Sequence, residues 1–116
     1  MAKTENIIVD LSFQFALKII ELTSILDSLN KKPISFQLLK SGTSIGANIH
    51  ESQHAESRAD FIHKLKIAAK EANETEYWLR LIYEGKIIPK DDKLLDHLNH
   101  IQRILSIIIS KSKDKL

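Results

Sequence analysis

The sequence contains only three glycines and two prolines in 116 residues. These two residue types most often interrupt helices, so their scarcity leaves long uninterrupted segments. Within those segments apolar residues recur at alternating steps of three and four, which is the spacing of one face of an α-helix. No segment alternates between apolar and polar residues with the period of two that a strand requires. The chain is therefore predicted to be all-α.

Four helices are predicted, separated by three short connections. Their approximate bounds are residues 10–30, 36–54, 58–84 and 91–110. Pro33 is expected to end the first helix, because a proline ring cannot continue a helix and disfavours helical geometry in the residue before it. Ser35 is expected to cap the second helix and Ser57 the third, with Asp60 completing a capping box. Gly85 is expected to end the third helix in a left-handed conformation.

Each predicted helix carries one apolar stripe that would face a shared core. The stripes are Phe15, Ile19, Leu22, Leu26 and Leu29; Leu38, Gly42, Ile45 and Ile49; Phe61, Leu65, Ala68, Ala72, Thr75, Leu79 and Ile82; and Leu94, Leu98, Ile101, Leu105 and Ile108. Helices of roughly 20 to 27 residues are about 30 to 40 Å long and can lie side by side. Short connections make consecutive helices antiparallel, so an up-down four-helix bundle is predicted, formed by one domain over residues 1–116.

Composition excludes several classes of protein. The chain has no cysteine, which excludes disulfides and thiolate metal sites and favours a cytoplasmic protein. Its most apolar stretch, Ile104–Ile109, is far shorter than the roughly 20 residues of a membrane span, and residues 1–6 do not resemble a signal peptide. The formal net charge of +2 is too small to indicate a nucleic-acid partner by itself. Evidence for such a partner has to come from the distribution of charge over the helix faces.

The most distinctive residues lie in the second and third predicted helices. They are Ser-Ile-Gly-Ala-Asn-Ile at 44–49 and Glu-Ala-Asn-Glu-Thr at 71–75, supported by Asp60-Phe61 and Trp78-Leu79. On these residues the chain resembles the four-helix-bundle family named after open reading frames in intervening sequences of 23S ribosomal RNA genes, which is related to the accessory variability proteins of diversity-generating retroelements. The resemblance implies assembly into a ring, expected to contain five subunits, with nucleic acid as the partner in the retroelement relatives. It implies no established chemistry and no cofactor.

The family signature also has a structural interpretation. The signature residues are Ser44, Gly46, Asn48, Glu71, Glu74 and Thr75. Two glycines in the second helix would let a neighbouring helix approach closely. The serine and asparagine beside them are expected to make a polar contact with one of the three signature residues of the third helix, which would fix the register of the two helices. A ligand pocket at the same place is the alternative.

A second pattern on the third helix is the candidate binding surface. It consists of His63, Lys66, Lys70, Asn73, Tyr77 and Arg80, which are predicted to lie on the side opposite the core. Repeated around a ring, this stripe would present many cations and an aromatic side chain that can stack on a base, so it favours sequence-tolerant binding of RNA or DNA. Glu74, Glu76 and Glu84 lie close enough to offset much of the charge, and a solvated face is the alternative.

Apolar residues outside the core stripes predict an oligomer. They are Phe13, Leu17 and Ile20 on the first helix and Ile104 and Ile107 on the fourth. An isolated bundle cannot bury apolar residues on both sides of a helix, so a neighbouring subunit is expected to cover them. The predicted function is that of a non-enzymatic, homo-oligomeric accessory protein that binds nucleic acid or acts as a scaffold. A protein-interaction module is the alternative.

The residues His50-Glu51-Ser52-Gln53-His54 match the pattern H-E-x-x-H. In zinc hydrolases the two histidines of this pattern share a helix face and bind zinc, and the glutamate acts as a base. A catalytic zinc also needs a third ligand and a substrate cleft, and the sequence predicts no strand to hold a substrate. The family resemblance implies that the pattern is an ordinary helix end, so we predict no metal. A surface metal at His50, His54 and His63 or at His97 and His100, and a metal-dependent hydrolase using His50, Glu51 and His54, are the less favoured alternatives.

Overall fold

A computed structural model describes residues 3–115, with side chains from residue 7 onward. Its four helices are α1 (Lys3–Ser28), α2 (Lys32–Ser52), α3 (Arg58–Glu84) and α4 (Asp92–Lys113). Residues 3–115 contain no strand, so the prediction of an all-α fold is confirmed. None of the helices in this part of the chain is both long enough and apolar enough to cross a membrane.

The helices form an antiparallel bundle in which each one packs against its two neighbours. Consecutive helices are adjacent and α4 returns beside α1, while the backbones of the two diagonal pairs stay apart within the described residues. The bundle measures 47 × 22 × 19 Å, so its long axis follows the helices. The predicted up-down four-helix bundle is therefore confirmed. The closest packing is that of α2 with α1 and with α3.

One hydrophobic cluster fills the space between the helices, and it contains nearly every residue of the four predicted stripes. Two residues differ from the prediction. Leu29 is exposed, because α1 ends at Ser28 and the side chain lies in the turn. Phe61 is only partly buried, and its neighbour Ile62 takes the core position instead.

The first connection differs from the prediction. α1 ends because Asn30 adopts a left-handed conformation with φ 61°, and the Lys31 amide then donates to the Leu26 carbonyl at 2.9 Å. Pro33 does not end α1. It lies in the first turn of α2, where a backbone N–H would have no acceptor within the helix, so proline is tolerated there. Ser35 is not a cap, since it is buried inside α2 and its hydroxyl donates to the Thr23 carbonyl of α1 at 3.1 Å.

The ends of α3 confirm one predicted cap and correct the other. The Ser57 hydroxyl accepts from the Asp60 amide at 3.0 Å, as predicted, although the Asp60 carboxylate accepts from the Glu56 amide rather than from Ser57. Gly85 is right-handed with φ −76°, and the left-handed residue is Lys86 with φ 57°. Asp91 caps α4 by accepting from the amides of two residues in its first turn.

The two glycines of α2 allow the close approach of α1. A Cβ atom at Gly42 would lie 2.9 Å from Cγ2 of Ile19, and one at Gly46 would lie 3.3 Å from the backbone oxygen of Ser12. The absence of these side chains therefore sets the separation of α1 and α2. On its other side α2 packs against α3, which contributes Ala68 and Ala72 to the core.

Candidate nucleic-acid interface

The predicted binding stripe of α3 is a continuous exposed surface. All six of its residues, His63, Lys66, Lys70, Asn73, Tyr77 and Arg80, are exposed. They recur at steps of three and four from residue 63 to residue 80, so the stripe is about 26 Å long. Tyr77 is 55% exposed, and its ring packs edge-on against that of Trp78 with 5.1 Å between the centroids and 69° between the ring planes. We call these six residues the α3 stripe.

The glutamates near the α3 stripe are bound to other side chains. Glu84 pairs with Arg80 at 3.1 Å. Glu74 accepts from the Trp78 indole at 3.1 Å, and Glu76 accepts from the amide of an α4 side chain at 3.1 Å. The two lysines of the stripe form no ion pair within residues 7–115. The half of the stripe nearer the beginning of α3 is therefore the more cationic half.

Residues of α4 that were not predicted lie beside the α3 stripe. A concavity of about 400 Å³ between the two helices is lined by Ala69, Asn73, Gln102, Ser106, Ile109, Ser110 and Lys113. A second one, of about 850 Å³, is lined by Asp96, Asn99, His100, Gln102, Arg103 and Ser106. Asn99, Gln102, Ser106 and Lys113 recur at helical spacing, so the sequence indicated a polar face on α4 but not which helix lies beside it.

The predicted oligomer surface on α1 is exposed and is larger than expected. Phe13 is 60% exposed, and Leu17 and Ile20 are exposed with it. Two apolar residues of α2, Phe36 and Leu39, are exposed as well. An apolar groove of about 360 Å³ between α1 and α2 is lined by Phe13 together with Val9, Ala16 and Ala47. We call the five exposed residues the α1–α2 apolar face; its α2 row is offset from the core stripe and could have been found from that spacing.

The predicted oligomer residues of α4 divide between core and surface. Ile107 is 49% exposed, but Ile104 is 9% exposed and belongs to the hydrophobic cluster. The buried side of α4 is therefore broader than one narrow stripe and includes Ile104. Ile104 was predicted to be covered by a neighbouring subunit, but the bundle core already covers it.

The polar link between α2 and α3 involves a different residue of α2 from those predicted. The Ser44 hydroxyl donates to the Lys40 carbonyl at 2.6 Å and the Asn48 amide to the Ser44 carbonyl at 2.9 Å, so both bonds stay within α2. The contact with α3 is made by Ser41, whose hydroxyl oxygen lies 2.9 Å from that of Thr75. Both of these residues are fully buried.

The two signature glutamates of α3 lie outside this buried link. Glu74 binds the Trp78 indole of its own helix. Partial burial and the neighbouring Glu74 carboxylate raise the pKa of Glu71, and the charge of Lys40 on α2 acts in the opposite direction. The carboxyl group of Glu71 therefore lies near α2 without replacing the hydroxyl contact made by Thr75.

The H-E-x-x-H residues do not form a complete metal site. α2 ends at Ser52, so His54 lies in the following turn rather than on the helix. Glu51 pairs with Lys64 of α3 at 3.1 Å, and the rings of His50 and His54 are 5.7 Å apart between centroids. Residues 3–115 bring together no group of three or more histidine, aspartate or glutamate side chains suited to a metal ion.

His97 of α4 has a structural environment. Its Nε2 lies 2.9 Å from the Leu11 carbonyl of α1, and its ring packs edge-on against Phe15 with 5.3 Å between the centroids. Burial lowers the pKa of His97; the hydrogen bond with the Leu11 carbonyl acts in the opposite direction, and the charges of Lys18 and His100 lower the pKa further. This histidine therefore joins α4 to α1 in an environment that favours its neutral form.

Comparison with known proteins finds one matching family by sequence and a similar four-helix protein by structure. The sequence model of the family described as 23S rRNA-intervening sequence protein matches residues 4–107. The crystal structure of a protein of unknown function from the S23 ribosomal protein family of Bacteroides thetaiotaomicron is 44% identical in sequence. The alignment covers 92% of this chain and 98% of that chain, with a TM-score of 0.88. No curated protein matches the chain significantly.

Proposed function

Because the chain belongs to the 23S rRNA-intervening sequence protein family, we propose that it is a non-enzymatic, homo-oligomeric accessory protein of the cytoplasm that binds nucleic acid. The observation that carries this proposal is the α3 stripe, in which Lys66 and Lys70 are exposed and form no ion pair within residues 7–115. Exposed lysines of this kind neutralise phosphates and release counterions when a nucleic acid binds. Tyr77 adds an aromatic face for stacking on a base.

Self-association through the α1–α2 apolar face would repeat the α3 stripe in each subunit. The face lies on helices other than α3, so a neighbouring subunit that covers Phe13 and Leu17 can leave the stripe open to a ligand. Five subunits, the number that the family resemblance implies, would then present five stripes to one nucleic-acid chain. Linked sites of this kind bind a long ligand more tightly than one site alone does.

The nucleic-acid proposal is tested with a double variant, Lys66→Gln with Lys70→Gln. If both lysines contact phosphates, the slope of log Kobs against log salt concentration should fall by about 1.4 for a single strand. Fluorescence anisotropy with a labelled oligonucleotide over a range of salt concentrations measures the slope. The control is Lys31→Gln with Lys32→Gln, which changes the charge equally at the exposed α1–α2 turn. Wild-type protein that binds neither RNA nor DNA, or equal slopes for the two variants, would refute the proposal.

The oligomer is tested with Leu17→Glu. Leu17 is 43% exposed and lies on the α1–α2 apolar face, while Leu81 of α3 is 42% exposed and lies outside it. A carboxylate buried between subunits is strongly unfavourable, so Leu17→Glu should dissociate the oligomer and the matched variant Leu81→Glu should not. Light scattering coupled to gel filtration gives the mass of each species. A wild-type protein that is a monomer at micromolar concentration would remove the oligomer from the proposal.

A protein-interaction module is the second candidate, and the exposure of the α1–α2 apolar face favours it. Contiguous apolar surface of this kind is typical of sites that contact other proteins. A monomeric wild type without affinity for nucleic acid would support this candidate over the first.

A further inference from the structure

The geometry points to α4 as the second side of the nucleic-acid site, and we infer that the ligand is a single strand with unpaired bases that lies in the groove between α3 and α4. This inference rests on the proposed function and adds to it residues of α4, chiefly Gln102, Arg103 and Lys113, together with the class of ligand.

One concavity lies between α3 and α4, and a second one, lined by α4 alone, adjoins it. Gln102 and Ser106 line both of them, so they lie where the concavities meet. The Gln102 amide nitrogen donates to the Asn73 side-chain oxygen at 3.2 Å and to Glu76 at 3.1 Å. These bonds hold the α4 side chain against the α3 stripe, and they leave the Gln102 carbonyl oxygen and the Asn73 amide nitrogen for a ligand.

Charge favours one end of this groove. Lys113 lines the concavity between α3 and α4, and Arg103 lines the one on α4. Lys66 and Lys70 are exposed on α3 outside both linings. Asp96 lines the opposite end of the α4 side. A phosphate chain at this end would therefore lie near Lys113 of α4 and the lysines of the α3 stripe, because antiparallel packing places the beginning of α3 beside the end of α4.

The carboxylates in the first half of α3 are directed away from the groove. Asp60 accepts from the Glu56 amide at the start of the helix, and Glu71 lies near Lys40 of α2 and also near Lys70. Neither of them lines the concavity between α3 and α4. Lys66 and Lys113 therefore keep their charge toward a ligand, while Glu71 offsets part of the charge of Lys70.

The width and the side chains of the groove favour a single strand over a duplex. Neighbouring helices in a bundle lie about 8–10 Å apart between axes, so the two cationic sides can contact one backbone at once. The amides on the floor can bond to base edges, which are exposed in single strands and are engaged in pairing in a duplex. Tyr77 can stack only on an unpaired base.

The test uses the full chain and two probes, a labelled oligouridylate and a duplex RNA of the same length. Arg103→Gln with Lys113→Gln should lower the salt slope for the single strand by about 1.4, as the pair of α3 lysines does. Tyr77→Ala should weaken single-strand binding by roughly five- to 150-fold and change duplex binding much less. The double variant Lys31→Gln with Lys32→Gln is again the charge control, and circular dichroism confirms that each variant keeps its helices.

The outcomes separate this inference from the proposed function. If the wild type binds neither probe, the proposed function fails and the inference fails with it. If the α3 lysine variant loses salt slope while the α4 variant keeps the wild-type slope, the proposed function holds and the inference is overturned. Stronger binding to the duplex than to the single strand also overturns it. Loss of slope in both double variants, with a preference for the single strand, supports it.

Discussion

Replacing Gly42 by alanine tests the close approach of α1 and α2. The new Cβ atom would lie 2.9 Å from Cγ2 and 3.0 Å from Cγ1 of Ile19, whereas carbon atoms in good contact are about 3.5–4.0 Å apart. Ile19 is fully buried, so its neighbours resist its displacement. Overpacking of this kind destabilises the folded protein by about 1–3 kcal/mol, whereas replacing glycine by alanine in a helix interior stabilises it by about 1 kcal/mol. We expect the free energy of unfolding to fall by about 0–2 kcal/mol.

A double-mutant cycle isolates the clash from the change in helix propensity. Ile19→Ala alone should cost about 2–5 kcal/mol. It removes the two atoms that the new Cβ would meet, so the double variant should be more stable than the sum of the single effects by about 1–3 kcal/mol. Urea denaturation followed by circular dichroism at one fixed protein concentration measures all four proteins. Effects that add within about 0.5 kcal/mol would show that glycine at this position does not set the helix separation.

Two further predictions concern the polar contacts that join the helices. Thr75→Val should lower the free energy of unfolding by about 1–3 kcal/mol, because it removes the buried hydrogen-bond partner of Ser41. Thr43→Val should lower it by less, because the Thr43 hydroxyl bonds only within α2. Urea denaturation compares the two variants, and equal losses of stability would contradict the reasoning. Because burial lowers the folded-state pKa of His97, the unfolded chain binds the proton more tightly and stability should fall as the pH drops through about 6.5 and below. His97→Gln should flatten this dependence of the urea midpoint and the exposed His63→Gln should not; a profile unchanged by His97→Gln would refute the assignment.

The helices and their core could be predicted from the sequence because the apolar spacing specifies them directly. The clearest case is α4, whose five predicted core residues are all buried. Helix ends were less predictable, because they depend on backbone conformation as well as on residue type. Asn30 and Lys86 take the left-handed positions, although proline and glycine in the same segments are the stronger sequence signals.

The candidate site was predictable only along single helices. The α3 stripe is exposed as its spacing indicated. Which residues of another helix lie beside it depends on how the bundle closes, so Gln102 and Lys113 could not be assigned to it from sequence alone. The same limit explains the polar link, where Ser41 rather than Ser44 meets Thr75. A rotation of a few tens of degrees about the axis of α2 decides between the two serines.

The unequal packing of α2 and α4 has a consequence for local unfolding. α2 is held closely by α1 and α3, while α4 approaches its two neighbours less closely. Segments with fewer close contacts open at a lower free energy than the rest of a protein, so the amide hydrogens of α4 should exchange with solvent before those of α2. An opening of α4 would also separate the two sides of the groove, so a ligand that binds both sides should slow exchange in α4 most of all.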